Sequence, residues 1–252
     1  MFKIVSETRV ILDVMRKSVM NDLLSGSVAR FTSKGLITSS SFGTYGCFAD
    51  YKPEHFNEFL VDVQTDMCIN QLLLKNFEEM GFMSDVSCQI ESDLNNNRLL
   101  VVSGSKRWMP NLSNANVETV GFPDSGIKLS LVEGIGYLPV TARPIMFQAK
   151  VNTDKLSIPR SGDFLAFYPL DKTLRLKWDM DGPAEMDVPL APENVSVPHV
   201  SKEKEFYTFH QSYIKKILAN LKGDITITFY EKSIIFNQVS PSVSLMYFIA
   251  TI

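Results

Sequence analysis

Three lysines on one amphipathic segment are the residues whose chemistry is easiest to interpret. The stretch 206–223 contains no carboxylate and three lysines, Lys215, Lys216 and Lys222. Apolar residues recur at helical spacing, which predicts a helix over residues 207–221 with the lysines on its polar side. This face fits a solvated helix with cations near its C-terminal end, which needs no ligand. It also fits salt-dependent contact with nucleic-acid phosphates, which requires no particular base sequence.

Basic residues also lie on the other predicted helices. A helix predicted over 8–20 and a short helical segment predicted over 153–160 have a small excess of basic residues, whereas the helix predicted to follow an Asn70 cap does not. If these helices lie side by side, they form a weakly positive surface on a protein whose net charge is −3. No aromatic residues interleave with the basic ones, so the pattern favours duplex over single-stranded nucleic acid. The candidate DNA-binding residues are Arg9, Arg16, Lys17, Lys75, Lys155, Arg160, Lys215, Lys216 and Lys222.

Residue patterns that identify enzymes are sparse. The sequence has neither a phosphate-binding glycine loop nor a dinucleotide fingerprint, and its histidines form no zinc-binding pair. Asp179 and Asp181 precede Gly182 and Pro183, a combination typical of a turn. An alternative hypothesis keeps these two aspartates, together with Asp187, as the carboxylate site of a small enzyme. We expect a non-catalytic protein that needs no metal and no cofactor.

The cysteines and the apolar runs restrict the class further. Cys47, Cys68 and Cys88 lack C-x-x-C spacing, which favours reduced, mostly buried thiols in an intracellular protein. No apolar run approaches the roughly 18 residues of a membrane span, and the first residues lack the layout of a signal peptide. We therefore expect no association with a membrane.

The predicted elements occur in the same order in both halves of the chain. Each half has a strand, a helix, several strands, a second helix and further strands, and the pattern over 224–252 predicts a three-stranded meander. Proline and glycine interrupt the regular pattern between about residues 110 and 144. We predict an α+β fold with two similar domains, each with helices on one face of antiparallel sheets. The predicted boundaries are 1–112 for the first domain, 113–143 for a connector and 144–252 for the second domain.

Three short motifs resemble those of a known family. They are Met1-Phe-Lys-Ile-Val before an amphipathic helix, Asn116-Val-Glu-Thr-Val-Gly-Phe-Pro-Asp, and Leu245-Met-Tyr-Phe-Ile-Ala-Thr-Ile. With the order of elements, they resemble the sliding clamps of DNA replication, the proliferating-cell nuclear antigen type of archaea and eukaryotes and the related clamps of T-even phages. The second motif is similar to the clamp connector and the third to the last clamp strand. Thr251 stands where the family usually has proline, which indicates a divergent or virus-borne member.

The resemblance implies a ring, usually a homotrimer of two-domain subunits, whose helices line a hole around double-stranded DNA. It implies a processivity factor that tethers a DNA polymerase and other replication proteins and is placed on DNA by a clamp loader. Its location would be the cytoplasm or nucleoid of an archaeon or a virus-infected host cell, or a eukaryotic nucleus. Edge strands near Val101 and near Leu176 would join the subunits. Partner proteins would bind a hydrophobic pocket at Phe48, Val120, Gly121, Phe122, Pro123, Ile234, Phe248, Ile249 and Ala250.

Two further hypotheses come from different classes of protein. The chain could be a non-catalytic, β-rich structural or virion protein whose two halves pack together. It could also be a processivity factor with the clamp fold that acts as a monomer, although such a protein needs a more basic DNA-facing surface than this sequence offers.

Overall fold

The computed structural model describes residues 1–93, 97–112, 121–122, 127–158, 162–170, 173–178, 184–198 and 207–251. The chain divides into two compact units. Unit 1 comprises Met1–Phe42, Gly46–Lys128 and Ser240–Ser244, and unit 2 comprises Gly43–Tyr45, Leu129–Val239 and Leu245–Ile252. Among the described residues, no helix is long and apolar enough to cross a membrane.

Unit 1 contains two helices and two groups of antiparallel strands. One group has the order β5-β1-β7-β8-β9, and in the other the neighbouring strands are β4-β3-β2-β6. The elements are β1 (Phe2–Glu7), α1 (Thr8–Ser18), β2 (Gly26–Thr32), β3 (Gly35–Phe42), β4 (Tyr45–Tyr51), β5 (Glu58–Val61), β6 (Thr65–Asn70), α2 (Gln71–Glu79), β7 (Ser87–Asp93), β8 (Arg98–Ser103) and β9 (Lys106–Trp108).

The core of unit 1 lies between its two groups of strands. Phe2 of β1 stacks on Phe31 of β2, with the ring centroids 3.9 Å apart. Helix α1 buries Ile11, Val14 and Met15, the apolar stripe that helical spacing predicts. It packs against strands of both groups. Because the apolar stripe faces the core, the opposite face of α1 is exposed to solvent.

Helix α2 begins where the sequence predicts. The side chain of Asn70 accepts a hydrogen bond from the backbone N–H of Leu73 at 2.7 Å, which satisfies one of the free donors of the first turn. Leu74 and Phe77 then point into the core, and the helix contacts α1. The predicted Asn70 cap is confirmed.

In the residues of unit 2 that the structure describes, antiparallel strands are again combined with one α-helix. Its strands have the orders β16-β12-β18-β19-β20, β15-β14-β13-β17 and β10-β11. The elements are β10 (Leu129–Val132), β11 (Gly136–Pro139), β12 (Phe147–Asn152), β13 (Phe164–Leu170), β14 (Thr173–Trp178), β15 (Glu185–Pro189), β16 (Val195–Val197), β17 (Tyr207–His210), α3 (Gln211–Ala219), β18 (Asp224–Tyr230), β19 (Ser233–Val239) and β20 (Val243–Ala250).

The core of unit 2 is a cluster of aromatic side chains between two sheets. Phe167 of β13 meets Phe209 of β17 and, from the other sheet, Phe229 and Phe236, with centroid separations of 6.1–6.4 Å. Edge-to-face rings at such distances attract each other in addition to the apolar area that they bury. Most residues of β18 and β19 are buried on both faces, and the polar Thr226, Thr228 and Asn237 are buried among their apolar residues.

Several predicted elements are confirmed and others were wrong. The α+β class and the meander over 224–252 are present. The helix predicted over 207–221 was wrong in its first turn, because Tyr207–His210 forms β17 and pairs with β13. In Tyr207–His210 every second residue is buried, as in a strand. The apolar residues of the following helix continue this pattern without a break. The predicted helix over 153–160 is limited to a 3-10 turn at Thr153–Lys155 in the part that is described.

The region predicted to be a connector contains regular structure. Strands β10 and β11 form a hairpin that belongs to unit 2 and contacts β19. Asn237 of β19 donates a hydrogen bond to the backbone oxygen of Tyr137 at 3.0 Å. Residues 113–120 and 123–126 of this region lie outside the described residues. The boundaries 113 and 143 therefore stay predictions.

Candidate nucleic-acid interface and partner pocket

The predicted DNA-binding residues of unit 1 are paired with carboxylates. Arg16 of α1 donates to Glu78 of α2, at 3.0 Å from Nε and 2.7 Å from Nη2. Lys17 binds Asp13 at 2.6 Å, one helical turn away. The remaining pairs on these two helices are Lys75 with Glu79 at 3.8 Å, and Arg9 with Glu7. Each of these cations has a carboxylate beside it, so the helical surface of unit 1 carries little net charge.

Unit 2 has a different balance of charge. Lys215 and Lys216 lie on α3, and Lys215 contacts the amide oxygen of the fully buried Gln211 at 3.3 Å. Lys222 follows the helix, and Lys155 is exposed in the 3-10 turn. Because residues 207–223 contain no carboxylate, this surface keeps a positive excess. Arg160 lies outside the described residues.

The predicted partner-binding positions differ in their accessibility. In unit 1, Phe48 and Phe122 are 4% and 2% exposed, and Gly121 has a φ of +84° and donates its N–H to Ile127. The guanidinium of Arg30 lies over the Phe122 ring, 4.5 Å from its centroid. Val120 and Pro123 lie outside the described residues. The connector residue Phe122 is thus held by a charged side chain that the sequence did not indicate.

In unit 2, alternate residues of β20 have different surroundings. Ile249 of β20 and Ile234 of β19 are core residues, at most 2% exposed. Phe248 and Ala250 are half-buried and share the other face of β20. Residues on that face are the ones a partner can reach without disturbing the core.

An edge strand lies beside each of the two positions predicted to join subunits, and the subunit contact itself stays a prediction. Val101 is on β8 and Leu176 is on β14, and each strand is paired on both sides. The outer strands beside β8 and β14 are β9 and β15, and the opposite edges of the same sheets are β5 and β17. Strand β9 has only three residues, and β15 alternates exposed residues with half-buried Met186 and buried Val188.

The two outer strands carry opposite charges. Strand β9 presents Lys106 and Arg107, both exposed. Strand β15 presents Glu185 and Asp187, which contact Arg175 and Lys177 of the neighbouring β14. Lys106 also donates to the backbone oxygens of Met80 and Gly81 at 2.7 Å, just after α2. An edge strand with exposed charges resists random pairing but can accept a strand of complementary charge.

Asp187, a candidate of the enzyme hypothesis, is held in an ion pair. Arg175 contacts its two carboxylate oxygens at 2.6 and 3.0 Å. The hydrogen bond from Arg175 lowers the pKa of Asp187 below its usual value. A carboxylate with a lowered pKa is a poor proton donor near neutral pH. Asp179 and Asp181 lie outside the described residues.

Comparison with known proteins identifies the fold. No family model matches this sequence, and no curated protein is similar to it in sequence. The structure is similar to A. fulgidus PCNA bound to the C-terminal region of FEN-1, with a TM-score of 0.72 and 12% identity over 100% of this chain and 98% of that one. It is similar to the proliferating cellular nuclear antigen of Entamoeba histolytica, with a TM-score of 0.73, the same identity and the same coverage. The chain has the fold of a PCNA-type sliding clamp.

Proposed function

We propose that this chain is the subunit of a DNA sliding clamp, a processivity factor that encircles duplex DNA and tethers replication enzymes. The observation that carries the proposal is the similarity to PCNA over the whole length of both chains. The clamp acts without a catalytic residue, metal or cofactor of its own, because its task is to hold other proteins on DNA. It works inside the cell, where DNA is replicated.

The distribution of charge supports a DNA contact of this kind. The protein as a whole is acidic, with a net charge of −3, while the helical surface of unit 2 has a positive excess. A clamp must slide, so its contacts with phosphates are weak, salt-dependent and blind to base sequence. In this proposal Lys155, Lys215, Lys216 and Lys222 make most of these contacts.

The outer strands support assembly into a closed ring. A ring of identical subunits needs two different, complementary surfaces on each chain. The basic edge of β9 and the acidic edge of β15 are such a pair, and antiparallel pairing between them would extend both sheets. We propose a homotrimer, the usual state in the family that this chain resembles.

The partner site is proposed near the connector and the last strand. One of the similar structures, A. fulgidus PCNA, is bound to the C-terminal region of FEN-1. By analogy, a segment of a DNA polymerase or another replication protein would contact the accessible face of β20, with Phe248 and Ala250. A clamp loader would open and close the ring.

Processive DNA synthesis tests the proposal. The polymerase of the source organism would be combined with this chain, a loader and primed circular DNA, and the product length per binding event would be measured. We expect much longer products with the chain than without it. Unchanged product lengths, together with self-assembly into open polymers, would instead favour the β-rich structural or virion protein.

A further inference from the structure

A polar cavity in unit 2 adjoins the candidate nucleic-acid interface, with which it shares Lys155. Its volume is about 170 Å³, and it is lined by residues of β12, the 3-10 turn, the segment after β15 and the start of β18. The polar side chains in its wall are Lys150, Lys155, Asn152, Asn194 and Asp224. Since a water molecule in the liquid occupies about 30 Å³, a tetrahedral oxyanion fits with part of its hydration.

The walls of this cavity are held in place by hydrogen bonds. The N–H of Thr153 donates to Gly223 at 2.8 Å, and the N–H of Gly223 donates to Thr153 Oγ1 at 2.9 Å. Asn152 accepts from the N–H of Asp154 and donates to Asp224, both at 3.0 Å. These bonds fix the turn that carries Lys155 against the start of β18.

The opposite wall is equally well anchored. Leu190 is buried at 6% exposure, and β16, which follows the wall, pairs with β12. Ser196 lies 2.7 Å from Gln148 Oε1, to which its hydroxyl donates. Asn194 therefore lies on a segment that is already held in place. Binding of a ligand in the cavity costs little free energy for ordering the protein.

The charge of the cavity favours an anion. Two ammonium groups face one carboxylate, and the Lys150–Asp224 pair is loose, at 3.7 Å, with both side chains more than half exposed. An exposed pair at this distance contributes little, so Lys150 can turn to another anion at small cost. Lys155 forms no ion pair with any residue that the structure describes. The cations of α1 and α2, in contrast, each have a carboxylate partner.

We propose that this cavity binds a phosphate group of the nucleic-acid backbone, with Lys150, Lys155 and the Asn194 amide as donors. The inference rests on the proposed function, because it locates one contact of the clamp with DNA. Lys150 lies on a strand and not on a helix, so the helical pattern of the sequence could not identify it. Asp224 weakens the site and keeps the contact reversible.

Binding of a short fluorescent duplex to the purified protein tests the role of the two lysines. Lys150→Gln and Lys155→Gln should each weaken binding, and each should reduce the slope of log affinity against log salt by about 0.9. The ratio of the wild-type affinity to the variant affinity should therefore shrink about 3.5-fold between about 50 and 200 mM salt. Lys34→Gln, which removes an exposed lysine from a turn of unit 1, is the matched control. Affinities of Lys150→Gln and Lys155→Gln equal to that of the control would overturn the proposal.

Asp224→Asn provides a change in the opposite direction. The amide oxygen of the new residue can still accept the hydrogen bond from Asn152, while the competing charge is removed. We expect tighter binding of the duplex than in Glu231→Gln, which removes one exposed carboxylate of the same unit from the β18–β19 turn. Equal affinities of these two variants would contradict an anion site beside Asp224.

Nuclear magnetic resonance of the Asn194 side-chain amide identifies the ligand. The duplex should shift this signal in the wild type but not in Lys150→Gln, and inorganic phosphate should compete for the same shift. A signal that responds to inorganic phosphate but not to the duplex would overturn the assignment to the DNA backbone. If the chain supports processive synthesis but the Asn194 signal responds to neither ligand, only this inference is refuted. If the cavity binds phosphate but the chain never supports processive synthesis, only the proposed function is refuted.

Discussion

The contact between Arg30 and Phe122 leads to a quantitative prediction. Arg30 reaches from β2 to Asp66 on β6, with two hydrogen bonds of 2.9 and 2.8 Å, and the side chains of the pair are only 12% and 23% exposed. The same guanidinium covers the ring of Phe122. One side chain therefore joins two strands to the segment predicted to bind partner proteins.

The magnitude follows from these two interactions. Hydrogen bonds to charged groups contribute about 1.5–3 kcal/mol, and a partly desolvated cation over an aromatic ring contributes about 1 kcal/mol. Arg30→Met keeps the apolar stem and removes both interactions, so the free energy of unfolding should fall by about 2.5–4 kcal/mol. Arg30→Lys keeps the charge but not the two-pronged geometry, so its loss should be smaller.

Urea unfolding can separate the two contributions. Trp108 lies in unit 1, so its fluorescence in a Trp178→Phe background reports on this unit alone. A double-mutant cycle of Arg30→Met and Phe122→Leu should give a coupling energy of about 1 kcal/mol. A coupling energy of zero within error would refute the reasoning, since it would mean that the ring gains nothing from the guanidinium above it.

Three further predictions concern the fold, the thiols and the assembly. Gly35→Ala should lower the free energy of unfolding by more than about 1 kcal/mol in thermal unfolding, because a Cβ would overlap the Tyr51 carbonyl oxygen at a φ of +138°; an unchanged melting temperature would contradict it. Burial raises the pKa of Cys47 to about 12 and that of Cys88 to about 11, so iodoacetamide at about pH 8 should modify half-buried Cys68 first and the other two only after unfolding; early labelling of Cys47 would contradict the described burial. Glu185→Lys combined with Asp187→Lys should reduce the mass measured by sedimentation from three times 28.4 kDa towards that of one chain. Glu133→Lys, at an exposed position, should leave the mass unchanged. An intact trimer of the double variant would exclude β15 from the subunit contact.

The sequence predicted those parts of the fold in which local pattern and tertiary structure agree. The Asn70 cap depends on residues a few positions apart, and the meander over 224–252 depends on strand patterns between polar turns. Strand β17 was misassigned because its alternating residues continue without a break into the stripe of α3. Local periodicity cannot separate the two elements there.

The candidate surfaces depend on long-range contacts that a sequence pattern does not contain. Arg16 and Glu78 are 62 positions apart, and their pairing neutralises cations that the sequence predicted to face DNA. The polar cavity of unit 2 joins Lys150 and Asp224, which meet only because β12 and β18 pair in register. Strand β9 has only three residues, too few for a period to be recognised, and the alternation of polar and apolar residues in β15 extends over only five.

Retention on DNA of different topology tests the central claim most directly. The labelled chain would be loaded onto nicked circular DNA in salt high enough to screen phosphate contacts, and the DNA would then be cut once with a restriction enzyme. If the chain forms a closed ring, it should stay on the DNA while the DNA is circular. After the cut, it should leave within the time needed to slide off the new ends. Equal retention on circular and linear DNA would contradict encirclement, because a ring leaves a DNA that has free ends. Loss from both in high salt would also contradict it, because it would show that phosphate contacts alone hold the protein.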